Sequence, residues 1–386
     1  MRVLVLGGGG AMGQITVRDL AESDDVSRVI VGDNNLEAAL AFARSLGSPK
    51  VSIEPCDVTD HGSTVRLMKT SDVCVNATLY RFNLLVMRAA MEAGVSMLDL
   101  GGLYHMTRRQ LAVHEEAMRA GILVVVGMGS DPGTSNICCR YLANKLDSVD
   151  QLSIRFGSTT VGQSFGFAIS TILDEATKNA IVFRGGKIQE IPPLSEAEDV
   201  TFREPVGTCT TYPIVHSELA TVPYTIKGVK EVSYKDSWDP AVMEKVKVIV
   251  DYGLTQSDPV VVNGCKVSPL DVVTAAIARH LKEEPVFGVD DLKVQARGTK
   301  DGRETVLSLD VVVHPYEPWG VSALAYEIGV PPSIVAQMIG RGEVEAKGAL
   351  PPEECIDPVR FLSELSRRAV QIYETEQVTT VMGKGT

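Results

Sequence analysis

The chain opens on "MRVLVLGGGGAMGQ", and this stretch constrains the fold more than any other part of its 386 residues. An apolar run at 3–6 leads into four glycines at 7–10, and an amphipathic segment starts at Ala11. Gly8, Gly10 and Gly13 satisfy Gly-x-Gly-x-x-Gly, and Asp33 ends the next apolar run 20 positions beyond Gly13. A buried strand, a glycine turn, a helix and then an acid at that distance make the dinucleotide fingerprint. The glycines let a diphosphate approach the backbone at a positively polarised helix start, so Gly8, Gly10, Ala11, Met12 and Gly13 are expected to cradle it. A ligand-free glycine turn is the competing reading, and the strand–helix–acid context favours the cradle.

Asp33 is expected to accept hydrogen bonds from the adenosine ribose, with Asn34 beside it. Its carboxylate would repel a 2′-phosphate, and Asn34 and Asn35 stand where an arginine would welcome one. NAD is therefore favoured over NADP.

The same cadence continues. Short apolar runs at 3–6, 29–31, 51–53, 73–75, 97–98 and 122–126 alternate with helical spacing in "NLEAALAFARSLG" and "FNLLVMRAAMEAG". Strands without polar alternation, separated by helices, predict a parallel sheet covered on both faces. Ligands bind such sheets beyond the carboxyl ends of the strands. That rule places Asp57 and Val58 near the adenine, Asn76, Ala77 and Thr78 near the ribose and diphosphate, and Leu100 and Gly101 near the nicotinamide end. For Asp57, capping the following helix is an equal alternative.

The pattern changes near residue 150. "QLSIRFGS" reads as a strand, "SFGFAISTILDEATKNA" as a strand passing into a helix, and "RGGKIQEIPPLSE" as a turn followed by irregular chain. "DLKVQARGTKDGRETVLSLDVVV" has two strand-like arms about Lys300-Asp301-Gly302, a hairpin signal. The tail reads as helical in "SALAYEIGV", "PPSIVAQMIGRG" and "DPVRFLSELSRRAV". The expected architecture is α/β: a Rossmann-type doubly wound domain over 1–127, an α+β domain over 128–320, and a helical segment over 321–386.

Composition narrows the function. A net charge of -12 argues against a general nucleic-acid binder, which needs basic surface. No apolar run reaches the ~18 residues of a membrane helix, and glycines interrupt the start where a signal peptide would stay hydrophobic. Seven scattered cysteines without a Cys-x-x-Cys fit reduced thiols and a cytoplasmic setting. Six dispersed histidines suggest no catalytic metal, and "HEEAM" at His114 lacks the second histidine of a metalloprotease helix.

The stretches "VLVLGGGGAMG", "DVCVNATLYRFN", "SMLDLGG", "GMGSDPGTSNI", "FRGGKIQEIPPLSE" and "IVAQMIGRGEVEAKGALPPEE" run along nearly the whole chain. In them the chain resembles the saccharopine dehydrogenase-like family, and within it is most similar to L-lysine 6-dehydrogenases. The resemblance implies a second domain that carries substrate contacts and forms a homodimer, and terminal helices that return to the first domain. It implies NAD-dependent oxidation of an amino acid's amine to an imine. The alternatives are an imine reductase of the saccharopine or carboxynorspermidine type acting on an amino acid or polyamine, and, from another class, a non-catalytic NAD sensor. One departure stands out. Where lysine dehydrogenases are expected to carry a basic segment with histidine, this chain has "YKDSWDPAVMEKVKV", which weakens lysine as substrate and leaves the amine-oxidising class intact.

Amine oxidation needs a neutral nitrogen, and deprotonating a lysine-type ammonium of pKa about 10.4 at neutral pH costs roughly 4 to 5 kcal/mol. A nearby base is therefore expected. The candidates are Asp99 at the end of the fifth strand, Tyr80, Asp131 before Pro132, and His216. Each has a structural alternative: Asp99 ordering its turn, Tyr80 a core tyrosine, Asp131 a helix N-cap, His216 a structural histidine. Tyr104 and His105 are further candidates for the substrate pocket, and Arg155 and Arg184 for a substrate carboxylate.

Overall fold

The computed structural model describes residues 1–159, 169–237, 240–280 and 288–380. Part of "SFGFAISTILDEATKNA" (164–168) and Trp238 and Asp239 of the departing segment lie outside them.

The first sheet is parallel. Its strands are β1 (Arg2–Leu6), β2 (Arg28–Asp33), β3 (Val51–Pro55), β4 (Val73–Asn76), β5 (Ser96–Asp99) and β6 (Leu123–Val125). From one edge they run β6-β5-β4-β1-β2-β3, and Gly348–Leu350 of the tail adds a seventh strand beside β6. Val3, Leu4, Val5 and Leu6 are completely buried, because β1 lies between β2 and β4 with apolar neighbours on both faces. The strand order reverses beside β1, and the crevice beyond that point is where this class of sheet binds its ligand.

The second sheet is mixed. Ser148–Ser158 lies at its centre, parallel to Glu231–Ser237 on one side and antiparallel to Asp290–Lys300 on the other. The expected hairpin is present: Asp301 (φ 50°) and Gly302 (φ 70°) both take left-handed backbone, and Lys300 pairs with Arg303. After Gly185-Gly186 the chain forms a second hairpin rather than irregular structure, Lys187–Ile191 pairing with Ala180–Arg184. Its outer strand is mostly solvated, so the apolar alternation that betrays a strand is weak there.

The tail joins the two halves. The helix Ala323–Gly340 crosses the first helix, Ala11–Glu22, at close range: a Cβ on Gly329 would sit 2.4 Å from Ile15 Cβ. Thr16 Oγ1 donates to the Gly329 carbonyl, and Ser333 and Arg368 both bind the Asp19 carboxylate. Two tail strands go beyond the helical expectation, Gly348–Leu350 in the first sheet and Gln371–Val378 on the edge of the second. The latter is mostly exposed, again without an apolar face to announce it. "SALAYEIGV" and "PPSIVAQMIGRG" form one helix that passes through Pro331 and Pro332. Those prolines have no N–H, so the carbonyls of Glu327 and Ile328 lose their helical donors.

Candidate active site

The glycine loop is built for an anion. A Cβ on Gly13 would fall 2.2 Å from the Gly7 carbonyl oxygen, and one on Gly7 would fall 2.8 Å from that of Ala77. No larger residue leaves this loop intact. The helix it feeds is capped by Gly10 without any side-chain hydrogen bond and has no acid in its first turn. Its first N–H groups have no helical acceptor and face the crevice, an arrangement suited to a diphosphate. The residues present therefore fit a dinucleotide.

Gly10, Ala11, Met12, Ala77, Thr78, Leu100 and Gly101 line one cavity of about 580 Å³. Gly8 packs behind it, where a Cβ would touch Val31 and Val17. Asn76 is buried and orders the loop after β4, donating to Asn83 and accepting from Thr78. At the expected adenosine end, Asp33 accepts from the Gly9 and Asn35 backbone at 2.8 Å each, and Asn34 is exposed. Asp57 accepts from Thr59 and does not cap the next helix; Asp60 does. Val58 beside it packs against the core.

The other cavity walls come from the second domain and the tail helix. Asp131, Glu175, Asp236 and Asp290 line it, with His216, Tyr234 and Tyr80. No lysine or arginine does so among the described residues. His216 Nδ1 bonds the fully buried Glu218, whose other oxygen accepts from Ser135 Oγ at 2.6 Å. Burial opposes charge on His216, but Glu218, Asp131 and Glu175 prevail and raise its pKa to about 9. Tyr234 donates its hydroxyl to Asp131. Burial raises the Asp131 pKa to about 6 against the pull of His216, and that of Glu175 to about 8. Tyr80 donates to Asp174 at 2.6 Å, and burial pushes its own pKa up.

Several expectations change at this point. Asp99 is wholly buried and off the cavity wall; it accepts from Gly101 N, Gly127 N and Gln110 Nε2 and orders the turn. Asp131 does not cap the next helix: Gly133 occupies that position, and the Asp131 carboxylate is left to the cavity. Tyr104 and His105 lie on the helix Leu103–Leu111, off the wall. Arg155 bonds Glu198 and Ser233, half-buried Arg184 pairs with Glu196, and neither lines the cavity.

The sequence reading missed Glu175, Glu218, Tyr234, Asp236 and Asp290. Tyr234 and Asp236 fall within the segment marked as a departure, which was the available signal. The others are isolated acids on separate elements that only folding brings together.

The comparisons follow this architecture. Residues 3–125 match the family model of the saccharopine dehydrogenase NADP binding domain, and residues 129–370 that of the saccharopine dehydrogenase C-terminal domain. The chain is 26% identical to a carboxyaminopropylagmatine dehydrogenase of Synechocystis, over 97% of each chain. It is 24% identical to a carboxynorspermidine synthase of Vibrio cholerae, over 95% of this chain and 94% of that one. Saccharopine dehydrogenase (L-Glu forming) of Saccharomyces cerevisiae has the same fold, with a TM-score of 0.75, 19% identity, and coverage of 97% and 99%. The chain belongs to the saccharopine dehydrogenase family and is an NAD(P)-dependent oxidoreductase of that family.

Proposed function

We propose that the protein interconverts an imine and an amine on an amino-acid-derived polyamine, in the manner of the carboxynorspermidine-type relatives. The single observation that carries this reading is the cavity itself: four acids and one histidine against the cofactor cradle, with no lysine or arginine among its described walls. Such a wall presents carboxyl oxygens to ammonium groups, and its one basic side chain, His216, is already paired with Glu218. The names of the curated relatives favour this alternative over the lysine 6-dehydrogenation first expected.

A bound nicotinamide supplies the hydride in reduction or accepts it in oxidation. His216, charged at neutral pH and held by Glu218, carries the proton that the substrate nitrogen gains or loses. Asp131, held by Tyr234, faces the cationic nitrogen and stabilises its charge. The acid at Asp33 supports NAD as the preferred coenzyme. In the same proposal the protein is a homodimer: the excursion bearing Val248, Tyr252, Val260, Val261 and Val262 exposes each of these side chains by 50% or more, a patch that a second copy would cover.

The test follows the absorbance of reduced coenzyme with an aldehyde plus a diamine in one direction and with lysine, saccharopine and carboxylated polyamines in the other. Turnover of the polyamine pair is expected, and turnover of lysine alone would overturn the reading. Tight coenzyme binding with silence on every amine would favour the NAD sensor. For the dimer, light scattering should give twice the chain mass, and Val261→Lys should lower it.

A further inference from the structure

Beyond the groups placed at the reacting nitrogen, the cavity holds a second set of acids contributed by three separate elements. Asp236 comes from the strand Glu231–Ser237, Asp290 opens the strand Asp290–Lys300, and Glu327 lies on the tail helix Ala323–Gly340. Asp236 and Asp290 line the cavity; Glu327 is off its wall, precedes the cavity-lining Ile328 on the tail helix, and is close enough to feel the charge of both aspartates. Asp290 is 2% exposed and Glu327 4%. Ser158 Oγ donates to Asp290 Oδ1 at 2.5 Å. Among the described residues, the other oxygen, Asp290 Oδ2, has no hydrogen-bond partner, nor do Asp236 Oδ1 and both oxygens of Glu327.

Four unpartnered carboxyl oxygens in one buried region are costly, since each has given up its hydration for no replacement bond. The strain shows in their titration. Burial first holds all three high: with Asp131 and Glu175 it keeps Asp236 well above the carboxylate range, with Asp290 and Asp131 it does the same for Glu327, and against the Ser158 hydrogen bond it raises Asp290 to about 7. The nearby Ser130 hydroxyl eases Glu327 only slightly and makes no well-formed bond to it. Pro331 and Pro332 add two carbonyls on the same helix, those of Glu327 and Ile328, that have no helical donor. The region is rich in carboxyl and carbonyl oxygens, and the only donors the acids themselves bring are the protons they hold.

We propose that Asp236 and Asp290, backed by Glu327, form a subsite for the distal cation of the substrate, a second nitrogen that keeps its charge while the first reacts. The assignment rests on the proposed polyamine chemistry and deepens it: His216 and Asp131 serve the reacting nitrogen, and this trio serves the far one. A multi-donor cation, either an ammonium or a guanidinium, is the chemistry that satisfies such a group. On binding, the carboxyls ionise and release protons, so the uptake of a cation is coupled to proton loss.

The experiment is calorimetry on the full-length protein saturated with NAD, using 1,3-diaminopropane, agmatine and propylamine as probes. At least one dication should bind about tenfold or more tightly than propylamine, the discrimination expected of a charged hydrogen bond. Tighter binding of agmatine than of 1,3-diaminopropane identifies a guanidinium end, and the reverse an ammonium. Protons should be released, seen as heats that change with the ionisation enthalpy of the buffer. Asp290→Asn and Asp236→Asn should each erase the preference for the dication while NAD binding, read by coenzyme titration, stays unchanged and reports an intact fold. Equal binding of propylamine and both dications, or a preference that survives both substitutions, overturns the subsite. Failure of the polyamine chemistry is distinguishable, because it appears as absent turnover whatever the binding preference.

Discussion

The rings of His216 and Tyr234 stack face to face, with centroids 3.9 Å apart and planes 5° from parallel. The stack sets two acid–base pairs side by side, His216 on Glu218 and Tyr234 on Asp131, at the wall of one cavity. Each ring is positioned by its carboxylate and held in plane by the other, so the geometry at the cavity depends on all four residues.

The first prediction concerns the pH dependence of imine reduction. His216 gives up its proton near pH 9 and Asp131 takes one up near pH 6. The kcat/KM profile should therefore be bell-shaped, falling above about pH 9 and below about pH 6. Glu218→Gln removes the chief group that raises His216, so the alkaline limb should shift toward lower pH. A limb that stays in place would separate His216 from the proton step.

Coenzyme choice tests Asp33. Replacing it with serine removes the charge that repels a 2′-phosphate and weakens the ribose contact. The ratio of kcat/KM for NADH over NADPH should fall about tenfold or more, consistent with losing a charged hydrogen bond. An unchanged ratio would show that selectivity lies elsewhere.

The glycine loop gives a steric prediction. Gly13→Ala places a methyl 2.2 Å from the Gly7 carbonyl oxygen, a contact that backbone must move to relieve. Coenzyme affinity should collapse, while thermal stability falls by only about 1 to 3 kcal/mol, the range for overpacking. Intrinsic fluorescence and coenzyme titration on the same sample separate the two effects.

The buried acids make a prediction about stability. Folded Asp290 keeps its proton up to about pH 7, whereas an unfolded aspartate loses its own near 3.8. Between those values the folded chain binds the extra proton, so this group's contribution to stability falls as pH rises from about 4 to 7. Asp290→Asn abolishes the titration. In differential scanning calorimetry without ligand, the variant should lose less melting temperature across that window than the parent.

The tail contact is testable through Asp19. Its pair with Arg368 is mostly buried, with side chains 9% and 15% exposed. Asp19→Ala leaves Arg368 Nε without its acceptor, with Glu364 still holding the other end of the guanidinium, and removes the acceptor of Ser333, which should destabilise the protein by about 2 kcal/mol. Chemical denaturation would measure it, and a change under 1 kcal/mol would mean that the Asp19 pair contributes little to holding the tail.

Much of the first domain was legible because its signals are local. An unbroken apolar strand, a glycine turn, and an acid at a set distance each act within a few dozen residues, and a parallel sheet follows from their alternation. The hairpin at Asp301-Gly302 was legible for the same reason: two left-handed positions in a row are written in the residues themselves. Strands such as Lys187–Ile191 and Gln371–Val378 were not, since exposed edges carry no apolar alternation.

The cavity was decided by tertiary structure. Sequence placed Tyr80, Asp131 and His216 among the candidates, but it also offered Asp99, which folding turned inward to order a backbone turn. Glu175, Asp236, Asp290 and Glu327 come from three strands and helices of the second domain and from the tail, each an ordinary acid in its own neighbourhood. The physical reason is that a strand or a glycine turn is specified by adjacent residues, whereas the charge state of a carboxyl is set by burial and by whatever the rest of the chain packs against it.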